Sequence, residues 1–166
     1  MTKIGLISDT HGYLDERVFE YFAGCNEIWH AGDIGDLAVM KRLEAFKPTV
    51  GVYGNIDGTD IRHIYPEDQV FEREGKTIWI THIGGYPPRY NRRVVKQLDT
   101  IKPYLFICGH SHIVKVLTDK ARLPLIHINP GAAGMQGFHK MRTIMRFDLT
   151  PEGVKNLQLI ELGKRG

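Results

Sequence analysis

Three short apolar runs alternate with two helical patterns over the first third of this chain, and that order leaves few folds open. Ile4 to Ser8 reads as a buried strand, and Leu14 to Ala23 as a helix with Asp15 and Glu16 in its first turn. Glu27 to His30 is a second strand. Asp36 can cap a helix over Leu37 to Phe46, where Leu37, Met40, Leu43 and Phe46 recur at helical spacing. Lys47-Pro48 stops that helix, and Thr49 to Tyr53 is the third strand. A β-α-β-α-β order predicts parallel strands joined by right-handed crossovers.

The pattern then changes. Gln69 to Arg73 and Thr77 to Thr81 flank Glu74-Gly75-Lys76, the signature of a hairpin. Arg92 to Thr100 reads as a helix, and Tyr104 to Cys108 as another buried strand. Further strands are expected at Ile113 to Thr118, Leu125 to Asn129, Met141 to Phe147 and Lys155 to Glu161, with turns at Asp119-Lys120 and Pro151-Glu152-Gly153. No repeat, linker or low-complexity segment divides the 166 residues, so one domain spanning 1–166 is expected. Its predicted class is α/β, with two sheets packed face to face and helices outside.

Composition narrows the function classes. Hydrophobic residues at 42% and charged residues at 25% are those of an ordinary soluble globular chain. A net charge of +3 with no basic stripe argues against a nucleic-acid partner longer than a short nucleotide. The run Ile4 to Ile7 is too short for a signal-peptide core, and no apolar stretch approaches the roughly 20 residues that span a bilayer. A cytoplasmic location with no membrane partner is the expectation. Cys25 and Cys108 form no C-x-x-C pair and read as small buried side chains.

The chemistry is signalled by where the metal-type side chains fall. Each group follows the end of a predicted strand, where open α/β sheets place their ligands. Asp9-Thr10-His11 follows the first strand, Gly32-Asp33 the second and Gly54-Asn55 the third. His82 follows Thr81, and Gly109-His110-Ser111-His112 follows Cys108. Any one of these is unremarkable, because Gly-Asp and Gly-Asn are ordinary turn dipeptides and a lone His is more often packed than ligating. Five strand ends carrying Asp, His and Asn toward one edge are not explained by turns. Imidazole mixed with carboxylate and amide oxygen suits first-row ions such as Mn, Fe, Co, Ni or Zn. With only two carboxylates among these residues, two dications would stay under-neutralised, which favours an anionic substrate and a bound water acidified from about 16 toward 7.

The series Asp9-x-His11, Gly32-Asp33, Gly54-Asn55, His82, Gly109-His110-x-His112 resembles the calcineurin-like metallophosphoesterase superfamily, and in particular its small single-domain bacterial and archaeal phosphodiesterases. The resemblance runs from Lys3 to about Gly134. It implies a four-layer α/β/β/α sandwich with a dimetal site at one end of two mixed sheets. It further implies that Asp9, His11 and His112 bind one metal, that Asn55, His82 and His110 bind the other, and that Asp33 bridges them. Asp33, Asn55 and His82 also stand as the catalytic positions. The implied cofactors are two divalent transition-metal ions, Mn foremost. The implied reaction is hydrolysis of a small phosphodiester, with a phosphomonoester as a second substrate, by attack of a metal-bridging hydroxide. Such proteins often form homo-oligomers, although no residue here marks an interface. A non-catalytic interaction scaffold on the same fold, like the superfamily's retromer subunit, is the alternative; a scaffold is free to lose ligands, and this chain keeps all seven.

Two positions depart from the family pattern. Many members carry His after the motif Asn, where it helps protonate the leaving group; here Ile56 stands there, followed by Asp57. His82 is followed by Ile83-Gly84, so the second His of the usual His-Gly-His is replaced. Asp57 reads equally as an orienting partner of a ligand His or as a turn residue before Gly58. Asn129-Pro130-Gly131 reads as a structural turn. His30 and His127 read as packed histidines and Trp29 and Trp79 as core, whereas His63 and His139 have no evident partner. The stretch Tyr86 to Arg93 is read as a solvated helix start, with contact to a substrate substituent as the rival reading.

Overall fold

A computed structural model describes every residue from Met1 to Gly166. In chain order the elements are β1 (Thr2–Ile7), α1 (Arg17–Tyr21), β2 (Glu27–His30), α2 (Leu37–Phe46), β3 (Thr49–Gly51), α3 (Thr59–Arg62), β4 (Asp68–Arg73) and β5 (Lys76–Thr81). There follow β6 (Gly85–Tyr86), β7 (Arg89–Tyr90), α4 (Arg92–Ile101), β8 (Leu105–Ile107), β9 (Lys115–Thr118), β10 (Ile126–Asn129), β11 (Met141–Thr150) and β12 (Gly153–Lys164).

These strands form two five-stranded mixed sheets and a short β6-β7 ribbon. The first sheet runs β12-β11-β1-β2-β3, with β1, β2 and β3 parallel as the crossovers require and β11 antiparallel to β1. The second runs β4-β5-β8-β10-β9, with β5, β8 and β10 mutually parallel. Period-two alternation sorts each central strand between two buried faces, which is why these strands read as continuous apolar runs. Ile4 and Leu6 of β1 meet Trp29, Ile78, Ile80, Leu105, Ile107, Ile128 and Phe147 in the layer between the sheets. Ile7 and Ile28 face outward against Val18 of α1, Phe22 just after it, and Met40 and Leu43 of α2. Trp79 and Phe106 face outward from the second sheet against Val94 and Leu98 of α4. The result is the four-layer α/β/β/α sandwich.

Several elements differ from their sequence-based bounds for identifiable reasons. The first helix shrinks to Arg17–Tyr21 because the Asp15 carboxylate accepts hydrogen bonds from the Arg17 N–H and, at 2.9 Å, from Arg142 Nη1 of β11. That residue is thereby committed to a tertiary bond just before the helix. The third strand ends at Gly51, and the Tyr53 N–H turns to the Pro66 carbonyl. The chain thus leaves the sheet just before Gly54. The closing hairpin is longer than expected: its first strand starts at Met141 as read but runs on to Thr150, and its second extends at both ends to Gly153–Lys164, with irregular register at Arg142/Thr143 and Arg146/Asp148. The one-turn α3 and the β6-β7 ribbon carry too little periodicity to be read from sequence.

Parallel strands put their carboxyl ends on one edge. Those of β1, β2 and β3 in one sheet, and of β5, β8 and β10 in the other, lead into the Asp9, Asp33, Asn55, His82 and His110 loops and into Asn129.

Candidate metal centre

The loops at this edge bring all seven sequence-derived ligand positions together. Asp9, His11 and His112 present ligand atoms within 4.8 Å of one another, and Asp33, His82 and His110 form a second such group. Asn55 joins the second group, its Oδ1 lying 3.0 Å from His110 Nδ1. Asp33 Oδ2 lies 3.4 Å from His11 Nε2 in the first group and 3.2 Å from His82 Nε2 in the second, which is the position of a shared ligand.

Backbone strain marks the same residues. Asp9, His11, Asp33, His110 and His112 all have positive φ, between 46° and 71°. For non-glycine residues this left-handed region costs of order 1–3 kcal/mol each and persists where the surroundings impose it. Here the surroundings are backbone bonds between loops: the Asp9 N–H donates to the Gly32 carbonyl at 2.9 Å and the His11 N–H to the Asp33 carbonyl at 3.0 Å. Gly54 permits a close approach of another kind. A Cβ there would lie 2.1 Å from Asp33 Oδ1 and 2.3 Å from the Asp33 nitrogen, so only glycine lets the β3 loop pass the shared carboxylate.

The donor chemistry fits a divalent pair. His82 Nδ1 lies 2.7 Å from the Ala31 carbonyl, which can only accept, so this nitrogen carries a proton and in the neutral ring Nε2 presents a lone pair. Yet Nε2 of His82 and of His11 are buried with no hydrogen-bond partner, although both lie beside carboxylate oxygen. Buried, unpartnered imidazole nitrogens facing carboxylates are what a cation site leaves when its ligand atoms are considered alone. The electrostatics agree. Burial by itself would raise the Asp9 and Asp33 carboxyls; the imidazoles of His11 and His112 beside Asp9, and of His11 and His82 beside Asp33, outweigh it when they carry a proton and hold both well below the usual carboxylate range. The carboxylates of Asp33 and then Asp9 beside it push His11 up to about 9. A cation taking these nitrogens displaces protons held by the same carboxylates.

The surroundings hold this cluster in part by means that the sequence reading did not identify. Asp57 is neither an orienting partner of a ligand His nor a simple turn residue. Its buried carboxylate accepts from the backbone N–H groups of Ile34 at 3.0 Å, Gly35 at 2.8 Å and Gly54 at 2.8 Å, tying the Asp33 loop to the Asn55 loop. Asn129 donates to the Gly109 carbonyl at 2.9 Å and accepts from the Gly131 N–H at 3.0 Å, fixing the loop that carries His110. His30 accepts from the Gly32 N–H and pairs with Thr10 Oγ1 at 3.0 Å, as a packed histidine should. His127 is likewise buried, with Nδ1 3.1 Å from the Phe106 carbonyl. His139, without a partner in the sequence reading, lies 3.2 Å from the candidate ligand His112. Arg93 is committed to Asp68 at 2.7 Å and to Thr81 Oγ1 at 2.6 Å. A cleft of about 450 Å³ opens on the cluster between Ile56, Phe138 and the ligand histidines, and a second recess of about 270 Å³ lies beside Asn55, His82 and Arg62. No helix is long and apolar enough to cross a membrane.

Comparison with known proteins accords with this geometry. Residues 2–152 match the model of the calcineurin-like phosphoesterase superfamily domain. A probable metallophosphoesterase of Methanothermobacter thermautotrophicus is 31% identical over 140 residues, covering 78% of this chain and 76% of that protein. The structure of an archaeal phosphodiesterase superposes with a TM-score of 0.71 at 25% identity, over 96% of this chain and 99% of the other. Vps29 of Entamoeba histolytica gives a TM-score of 0.72 over 97% and 99% of the two chains, but at 14% identity that likeness is one of fold.

Proposed function

The chain belongs to the calcineurin-like phosphoesterase superfamily, and from that premise we propose that it hydrolyses small phosphodiesters at a two-metal centre, with Mn as the native ion. The observation that carries the reading is the pair of ligand groups sharing Asp33, with the Nε2 atoms of His11 and His82 buried and unpartnered between the carboxylates. Asp9, His11 and His112 would hold one ion, Asn55, His82 and His110 the other, and Asp33 both. When bound, such a pair neutralises developing charge on the phosphate and supplies an activated water as nucleophile.

The remaining work falls to the chain itself. Ser8 Oγ donates to Asp9 Oδ2 at 2.6 Å and the His110 N–H to the same oxygen at 3.2 Å, which leaves Oδ1 for a metal. The Ile56 N–H fixes Asp33 Oδ1 at 3.1 Å in the same way. These bonds set the carboxylates before substrate arrives, so little reorganisation is left for the reaction. At position 56 itself Ile56 stands 47% exposed at the cleft and offers no proton to a leaving group. Esters whose leaving group departs without a proton, such as aryl esters, are therefore favoured over alkyl esters. A scaffold role on the same fold is the weaker reading, because a scaffold has no use for seven intact ligands held at the cost of backbone strain.

Turnover of bis(aryl) phosphodiester and of the matching aryl monoester by Mn-loaded protein tests the substrate class. A higher kcat/KM for the diester is expected. A preference for the monoester would move the assignment to phosphomonoesterase.

A further inference from the structure

The segment Gly137-Phe138-His139 lies beyond the ligand motifs yet closes over one of them. His139 Nε2 lies 2.8 Å from the Gly134 carbonyl, and His139 Nδ1 lies 3.2 Å from His112 Nδ1. A carbonyl oxygen only accepts, so the neutral His139 ring must carry its proton on Nε2 and present a lone pair at Nδ1. The facing His112 Nδ1 must then be the donor. In the neutral ring this leaves His112 Nε2 unprotonated, 3.1 Å from Asp9 Oδ1, where a metal ion held by both would satisfy the two acceptors.

We propose that His139 is a positioning residue of the metal centre, which locks the ligand His112 in the tautomer and ring orientation that aim Nε2 at the ion shared with Asp9. The inference rests on the dimetal reading above, but its first readout does not need a metal. The geometry is specific to this pair. A Cβ on Gly137 would lie 2.2 Å from His112 Nδ1 and 3.0 Å from His139 Nδ1, so the backbone covers the bond and leaves no room for a competing side chain. The carbonyl of His139 accepts from Arg165 Nε at 2.8 Å, and the Arg165 N–H donates to the Lys140 carbonyl at 2.9 Å. The end of the chain thus pins the positioning residue from outside. Partners of this kind typically change metal affinity by about 10–100-fold when removed, because the ligand ring then samples the wrong tautomer and rotation.

The test uses the full chain, ¹⁵N-labelled at histidine, and two variants. His139→Phe fills the space without either bond. His139→Gln retains an amide donor for the Gly134 carbonyl and an oxygen acceptor for His112 Nδ1. In metal-free protein, at a pH where the His112 ring is neutral, long-range ¹H–¹⁵N spectra should show it as a single Nδ1–H tautomer in the wild type and His139→Gln, and as a mixture in His139→Phe. Titration with Co(II) should give two bound ions in the wild type, with one of them weakened about 10–100-fold in His139→Phe and largely restored in His139→Gln. A single Nδ1–H tautomer and unchanged affinity in His139→Phe would overturn the proposal. So would a folded His139→Gln that behaves like His139→Phe. Failure of the wild type to bind two ions would instead sink the dimetal reading, and the tautomer spectra would still decide the role of His139.

Discussion

Gly54→Ala adds one methyl group where the β3 loop passes the shared carboxylate, and its effect can be worked out from two distances. The new Cβ would stand 2.1 Å from Asp33 Oδ1 and 2.3 Å from the Asp33 backbone nitrogen. Real Cβ atoms essentially never approach closer than 3.0 Å, so the two loops must separate by nearly 1 Å. Rotation of the Asp33 side chain cannot relieve this, because the backbone nitrogen is in the way as well. The Asp57 carboxylate resists the separation, since it bonds Gly54 on one loop and Ile34 and Gly35 on the other. Overpacking of this kind costs about 1–3 kcal/mol, which a sandwich with a core of this size can absorb while staying folded. Displacing a reacting group by about 1 Å costs about 100-fold in rate. With Gly24→Ala as the control, where the added carbon meets nothing within 4 Å, circular dichroism should show both variants folded. Hydrolysis of an aryl phosphodiester with Mn should fall about 100-fold in kcat/KM for Gly54→Ala and stay within about twofold for Gly24→Ala. A Gly54→Ala protein within about threefold of wild type would refute the claim that this contact sets the Asp33 position.

Acid sensitivity should begin well above the carboxylate range. Burial holds His30 and His127 down to about 4 in the folded chain, against about 6.5 unfolded. Below 6.5 the unfolded chain takes the proton first, so the contribution of these two histidines is full above that pH and falls until the folded pKa near 4, by roughly 3 kcal/mol for each. The contribution of Asp9 and Asp33, whose carboxyls are depressed, is present above about 3.9 and lost only below it. Urea midpoints should therefore fall steadily from pH 7 to pH 5, and midpoints that do not move would contradict the burial argument. Ile56→His restores a proton donor at the cleft. It should raise kcat for alkyl phosphodiesters more than for aryl ones, by at least about tenfold, and equal gains on both would show that the imidazole is not protonating the leaving group.

The edge on which the candidate ligands gather was legible because parallel strands force it. Once β1, β2 and β3 are read as parallel, Asp9, Asp33 and Asn55 must share an edge, and the second sheet repeats this for His82 and His110. What could not be read depends on bonds between segments distant in sequence. The truncation of α1 follows from Asp15 reaching Arg142, 127 positions away. The role of Asp57 follows from three backbone N–H groups, which no side-chain pattern reports. His139 is separated from His112 by 27 positions, in a segment without periodicity, so its pairing had no signal in the sequence.

The central claim is that two divalent ions held by these seven residues make the chain a phosphoesterase. The most direct measurement is to strip the protein with chelator and return Mn stepwise, following bound metal and hydrolysis of an activated aryl phosphodiester on the same samples. Turnover should be absent without metal, rise as the second ion per chain binds, and be lost in a folded Asp33→Ala variant. Full activity in metal-free protein, or no activity with two ions bound, would contradict the account.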